Sequence, residues 1–163
     1  MILNSEQVKQ ILPHRDPFLF IDSVESVILP GRTLLAGEVV DIKEIQDAEV
    51  IAYYRTKRDH AIFAGHFPDY PILPGVVQVE MMAQATSFIV LLVNKNPSEM
   101  KMDVALLGIN EARFRRPVLP EMDLKLVSRT LKVRGPIVTS ECKLYHNDIL
   151  MSEATVMASL KMQ

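Results

Sequence analysis

The chain has 163 residues with 18 Lys and Arg against 20 Asp and Glu, a net charge of −2 with His neutral, which excludes a polybasic nucleic-acid or membrane-surface binder. Hydrophobic residues at 48% and charged residues at 23% suit one globular domain over 1–163, large enough to bury a core without staples. Cys142 is the only cysteine, so no intrachain disulfide framework is possible and nothing marks an oxidising compartment.

The start, Met1-Ile2-Leu3-Asn4-Ser5-Glu6, lacks a basic region followed by a long apolar run and does not read as a secretory signal. A cytoplasmic protein is the expectation. Residues 5–12 predict a short helix, with Ser5 as N-cap and Val8, Ile11 and Leu12 on one face. Pro13-His14-Arg15-Asp16-Pro17 is a turn, and a strand is expected from Phe18 to about Ile28. Pro30-Gly31 turns it into a second strand, Thr33 to Val40, as an antiparallel hairpin.

Residues 43–60 mix charges with the apolar run Val50-Ile51-Ala52-Tyr53-Tyr54. They read as a strand extension or an extended surface flap, and a helix remains open. Pro68, Pro71 and Pro74 mark 61–74 as a non-helical loop. A helix can begin at Pro74-Gly75, where a missing N–H is harmless. From about 75 to 93 it is apolar nearly all round, as a helix surrounded by protein is. Gln78, Glu80, Gln84, Thr86 and Ser87 interrupt the tract too often for stable membrane insertion. Glu80, Gln84 and Ser87 form a polar stripe at i, i+4 and i+7. A strand over 103–116 and three alternating strands, 124–133, 138–144 and 150–160, close the chain with short antiparallel links. One sheet of about five to six strands curled around the long helix is an α+β fold.

A histidine in a proline-rich loop is usually a surface or structural residue. A glutamate in an apolar helix is harder to dismiss, because a buried carboxylate needs partners or a raised pKa. Its bland reading is an interface pair with an arginine. His66 lies fourteen residues before Glu80, with the helix N-terminus at Gly75 between them. A base, a carboxyl group and free N–H groups for a developing oxyanion are the parts that remove a proton next to a carbonyl and expel a β-hydroxyl group. No cofactor is called for, and the histidines at 14, 60, 66 and 146 lack metal-ligand spacing.

Three segments carry a family resemblance: Leu12-Pro13-His14-Arg15-Asp16-Pro17-Phe18-Leu19, then Gly65-His66-Phe67-Pro68 through Pro74-Gly75-Val76 to Glu80-Met81-Met82-Ala83-Gln84, and Gly108-Ile109-Asn110-Glu111-Ala112-Arg113-Phe114-Arg115-Arg116-Pro117-Val118. On these residues the chain resembles the hot-dog-fold (3R)-hydroxyacyl-acyl-carrier-protein dehydratases of type II fatty acid synthesis, FabZ type. The resemblance implies His66 as catalytic base and Glu80 as acidic partner. It implies the Gly75 N–H facing the thioester carbonyl, with Gln84 supporting the carboxyl group. Glutamate at 80 favours this branch over the dehydratase-isomerases, which usually have aspartate. The site is expected across a two-fold axis, His66 of one chain facing Glu80 of the other, in a homodimer that can assemble into a trimer of dimers. Acyl-tunnel candidates are Phe63, Phe67, Val79, Met82 and Phe88, each equally at home in a core. Arg113, Arg115 and Arg116 are candidates for docking the acidic acyl carrier protein, against a bland reading as solvated charges.

Three departures from the family pattern stand out. Residues 43–60 look longer than the usual link. Val104-Ala105-Leu106-Leu107 stands where a tunnel-gating tyrosine is common, with Tyr53 or Tyr54 as possible substitutes. Pro120-Glu121-Met122-Asp123 replaces a Pro-Gly-Asp turn. The alternatives are a hot-dog thioesterase and a non-catalytic acyl or carrier-binding module. Membrane fatty acids, lipid A precursors and a specialised acyl product all stay open as the pathway.

Overall fold

The computed structural model describes residues 1–163 except 36, 100 and 163. Helix α1 (Ser5–Ile11) buries Val8 and Ile11. Its cap is Asn4 rather than the expected Ser5: the Asn4 side chain accepts from the Glu6 and Gln7 N–H groups, and the Gln7 side chain accepts from the Asn4 N–H. This reciprocal pair satisfies the first-turn donors one residue earlier than expected.

Strand β1 (Ser23–Ile28) is shorter than expected: residues 18–22 contain bends, and the Phe18 carbonyl and Phe20 N–H bond the Gln84 side chain of the central helix instead. Its partner is β2 (Glu49–Arg55), with Ser23 opposite Tyr53 and Ile28 opposite Glu49. The expected hairpin with 33–40 does not form; among its described residues none is a strand, and Ala36 lies outside the described residues. Polar groups hold this segment in turns. Arg32 pairs with both Glu38 and Glu44, the Glu38 carboxylate accepts from the Leu35 N–H, and the Glu38 N–H donates back to the Leu35 carbonyl. The Val40 N–H then donates to the Leu92 carbonyl, docking the segment on the far end of the long helix. The stretch expected as a strand extension or flap therefore places 49–55 inside the sheet, hydrogen-bonded on both edges.

Within 61–74, expected to be wholly non-helical, Ala61–Gly65 forms the short helix α2, capped by the His60 ring, which accepts from the Ile62 N–H. The prolines begin only at Pro68, so they leave this turn free. Helix α3 (Gly75–Thr86) continues through a 3-10 turn, Ser87–Ile89, into α4 (Val90–Val93). The stretch Gly75–Val93 is long and apolar enough to cross a bilayer, yet 78% of its apolar window is buried inside the protein.

Strands β3 (Met102–Phe114), β4 (Asp123–Arg134), β5 (Ile137–His146) and β6 (Ile149–Met162) complete one antiparallel sheet of order β1-β2-β4-β5-β6-β3. Period-two alternation sends Leu124, Leu126, Val138, Cys142, Leu144, Ala154 and Val156 inward. They pack against Val79, Met82, Ala85 and Phe88 of the helix. Each fully buried large side chain here contributes roughly 1.5–3 kcal/mol. The sheet wrapped on one helix is the expected hot-dog architecture, and it leaves only the first turns of α3 partly uncovered, at Gly75, Val76 and Glu80.

Candidate active site

The loop between α2 and α3 aims His66. Its Nδ1 lies 2.9 Å from the Ile72 carbonyl, and the Ile72 N–H donates back to the His66 carbonyl at 2.9 Å. A carbonyl only accepts, so Nδ1 carries the proton and Nε2 keeps its lone pair, the form a general base needs. Phe67 stacks on the ring with centroids 4.2 Å apart, across a cis His66–Phe67 peptide.

The helix end beside it is open. Pro74 is the N-cap residue and no described side chain caps α3. The Val77 N–H donates to the Pro74 carbonyl at 3.1 Å, which leaves the Gly75 and Val76 N–H groups without a partner among the described residues at the positive end of the helix dipole. Glycine is required at 75 for room rather than for φ: a Cβ there would sit 2.9 Å from the Phe114 ring. A cavity of about 360 Å³ joins His66, Ile72, Leu73, Gly75, Gln78, Phe114, Arg115, Arg116 and Pro117. Gln78, missed from sequence, is buried and donates to the Leu73 carbonyl, and among the described residues its Oε1 is buried without a partner beside this cavity.

Glu80 sits five residues on, roughly 140° round the helix from Gly75, and does not line that cavity. Its Oε1 accepts from Gln84 Nε2 at 2.9 Å. Gln84 itself is fixed from both ends: Nε2 also donates to the Phe18 carbonyl, and Oε1 accepts from the Phe20 N–H, each at 2.9 Å. Gln84 thus ties the Glu80 carboxyl group to the backbone of residues 18 and 20. A second group on Glu80 was not foreseen: His14 Nε2 lies 3.3 Å from the same Oε1. His14 hydrogen bonding, opposed by burial and aided by Gln84, holds the Glu80 carboxyl below its ordinary range. His14 was visible in sequence as part of a turn and of the first family segment, with no role attached, and no local spacing ties it to Glu80.

The other histidines have no ring nitrogen to offer. His60 bonds the Pro17 carbonyl and the Ile62 N–H. His146 contacts the Asp123 carbonyl and the Asn147 amide. Among the described residues no three His, Cys, Asp or Glu groups gather as metal ligands. Cys142 is buried beside Thr86 and Ser128, and burial pushes its thiol pKa up.

Of the tunnel candidates, Phe63, Val79, Met82 and Phe88 are core residues, and Phe67 alone is exposed. The cavity walls are Ile72, Leu73 and Phe114 instead. Neither Tyr53 nor Tyr54 reaches it. The Tyr53 hydroxyl donates to Glu25, and Tyr54 is buried against Phe20 with its pKa pushed up to about 12 by desolvation. Arg115 and Arg116 do reach the cavity, although Arg115 is paired with Glu153 at 3.1 Å. Arg113 stands opposite Glu153 in the β3–β6 register.

The ApeI-like family (ApeI dehydratase) matches residues 42–150. The chain is 38% identical over 136 residues to the 3-hydroxyacyl-[acyl-carrier-protein] dehydratase FabZ of Clostridium perfringens, covering 83% of each chain. It is 34% identical over 160 residues to that of Anaplasma phagocytophilum, covering 98% of this chain and 99% of the other. In fold it is similar to a chain of the dehydratase heterocomplex ApeI:P from Xenorhabdus doucetiae, with TM-score 0.68, 19% identity, and coverage of 94% and 90%. A thioesterase superfamily member from Thermus thermophilus shares the fold at TM-score 0.56 and 18% identity over 71% of this chain and 82% of that one. The family match over most of the chain, together with these identities, means that this protein belongs to the hot-dog-fold 3-hydroxyacyl-[acyl-carrier-protein] dehydratases.

Proposed function

We propose that this dehydratase works as a two-fold dimer, with His66 of one protomer facing Glu80 of its partner across each of two shared sites. The observation that carries the reading is the separation of the two halves. The His66–Gly75 cavity and the Glu80 network lie on different faces of α3, with the exposed Val76 between them. The free edge supports it too. Among the described residues strand β3 pairs only with β6 and exposes Leu106, Leu107, Ile109 and Phe114, an uncovered apolar edge of the kind that soluble proteins pair or cover. An antiparallel match of β3 with its own copy satisfies two-fold symmetry.

The reaction is the dehydration of 3-hydroxyacyl chains carried on acyl carrier protein, in type II fatty acid biosynthesis. The thioester carbonyl of a (3R)-3-hydroxyacyl chain lies against the Gly75 N–H and the helix dipole. Nε2 of His66 takes the C2 proton. Glu80, charged at neutral pH in its environment, accepts a hydrogen bond from the C3 hydroxyl, directly or through water, and orients it to leave. The C2–H and C3–O bonds break, the C2–C3 double bond forms in the trans-2-enoyl product, and the departing hydroxyl takes the proton from the His66 imidazolium as water. His66 returns neutral, so no external oxidant or acid is consumed. Arg113, Arg115 and Arg116 form the docking patch for the acidic carrier, two of them at the cavity mouth. We place the enzyme in the cytoplasm, with its most apolar helix buried in its own sheet. Assembly of three such dimers into a hexamer belongs to the same proposal.

Turnover tests the reading. The protein, incubated with 3-hydroxyacyl and trans-2-enoyl carrier thioesters, is expected to interconvert them. Release of free thiol instead would identify a thioesterase, and binding without turnover a carrier-binding module.

A further inference from the structure

We propose that His14 is a positioning residue for Glu80, occupying one carboxylate oxygen together with Gln84 so that the other is left for the substrate hydroxyl. This rests on the dehydratase reading above and deepens it. Three observations carry it. His14 Nε2 and Gln84 Nε2 both converge on Oε1, at 3.3 Å and 2.9 Å. Oε2 makes no hydrogen bond among the described residues. The other ring nitrogen of His14, Nδ1, is buried and has no partner among the described residues.

The orphaned Nδ1 decides the tautomer. A proton there would be a buried donor with nothing to bond, which costs more than leaving a lone pair unused. The proton therefore sits on Nε2, and His14 donates to the Glu80 carboxylate. The 3.3 Å separation is longer than a settled hydrogen bond, as catalytic contacts often are before substrate binds. The surroundings offer no competing charge. The neighbouring Arg15 guanidinium is turned back onto the Leu12 and His14 carbonyls at 2.8 and 2.7 Å. Gln84, on the same helix, is neutral, and His14 is the one charged or titratable neighbour that acts on Glu80. His14 and Gln84 thus clamp one carboxylate oxygen from two elements, the N-terminal loop and the helix. With both partners in place the carboxylate cannot rotate its free oxygen away from the site.

The test reads Glu80 directly and needs no substrate. The carboxyl carbon of Glu80, labelled with carbon-13 and assigned by its loss in Glu80→Gln, is titrated by NMR in wild type, His14→Ala and His14→Gln. We expect the titration midpoint to move to higher pH in His14→Ala and to return towards wild type in His14→Gln, whose amide N–H restores the donor. On carrier thioesters, His14→Ala should lower kcat about ten- to hundred-fold with KM changed less than about threefold, and His14→Gln should recover part of the loss. A Glu80 midpoint unmoved in a folded His14→Ala protein would overturn the proposal, as would a moved midpoint with unchanged kcat. Lack of turnover by wild type would overturn the dehydratase reading, and the substrate-free titration separates that result from a failure of the contact itself.

Discussion

The two faces of the first turns of α3 are built on opposite terms. One face carries His66, the Gly75 N–H and Gln78, and among the described residues it keeps atoms free: the His66 Nε2, a helix end without a side-chain cap and a buried amide oxygen without a partner. The other carries Glu80, and there Gln84 and His14 fasten one oxygen while Phe18 and Phe20 fasten Gln84. The open face is shaped for a group that arrives, whereas the fastened face is shaped to hold one orientation. Neither is a complete acid–base site, so within a single chain the molecule presents two unlike halves.

Breaking either half should abolish turnover. His66→Ala and Glu80→Gln are each expected to reduce kcat by about 10²–10⁴-fold while circular dichroism shows both folded as wild type. Equal loss from both, despite their separate faces, is the sign that they act in one site.

The fastened face should be the more sensitive in stability. Gln84→Leu removes three hydrogen bonds and strands the buried Phe20 N–H, so chemical denaturation should show a loss of about 2–4 kcal/mol. On the open face, Gly75→Ala pushes a methyl group into the Phe114 ring. We expect about 1–3 kcal/mol of strain and a fall in kcat/KM, partly relieved by adding Phe114→Ala. If Gly75→Ala alone is silent in both, the tight helix end is not part of the site.

Acid should distinguish the two faces as well. The Glu80 pKa is lowered in the folded chain, first by His14 and then by Gln84 against desolvation. A depressed carboxylate contributes stability above its unfolded pKa, and that contribution is lost as pH falls through the folded value. The stability difference between wild type and Glu80→Gln should therefore narrow below the ordinary value of 4.5, measured by urea unfolding across pH. The smallest effect belongs to the rim. Arg116→Glu should raise KM for the carrier-bound substrate several-fold and flatten its salt dependence, with kcat kept. Arg115→Ala should leave stability close to wild type, because its pair with Glu153 is exposed and an exposed ion pair contributes little.

Much of the open face was legible because its residue types are conspicuous: a histidine and three prolines ahead of a glycine that begins an apolar helix. Glu80 and Gln84 stood out for the same reason, as polar residues one turn apart on that helix. His14 did not, since its contact spans 66 residues and depends on how the loop after α1 folds back. In the fold, the final meander followed from clean alternation over short links. The error at 33–40 has the opposite cause. Leu35, Gly37 and Val39 alternate, but Arg32 and Glu38 close turns there and Gly37 takes a positive φ of 80°. The true partner, β2, was masked by its charged flanks, and what makes it a strand is a pair of neighbours, β1 and β4, that local sequence does not reveal.

Subunit exchange between the two inactive variants tests the shared site most directly. His66→Ala and Glu80→Gln proteins are mixed in equal amounts, exchange is verified by mass labelling, and dehydration of a carrier thioester is followed. Random exchange makes half of the dimers mixed, each with one intact site, so about a quarter of wild-type activity should return. No recovery after verified exchange would contradict the account and place both residues in one chain's own site.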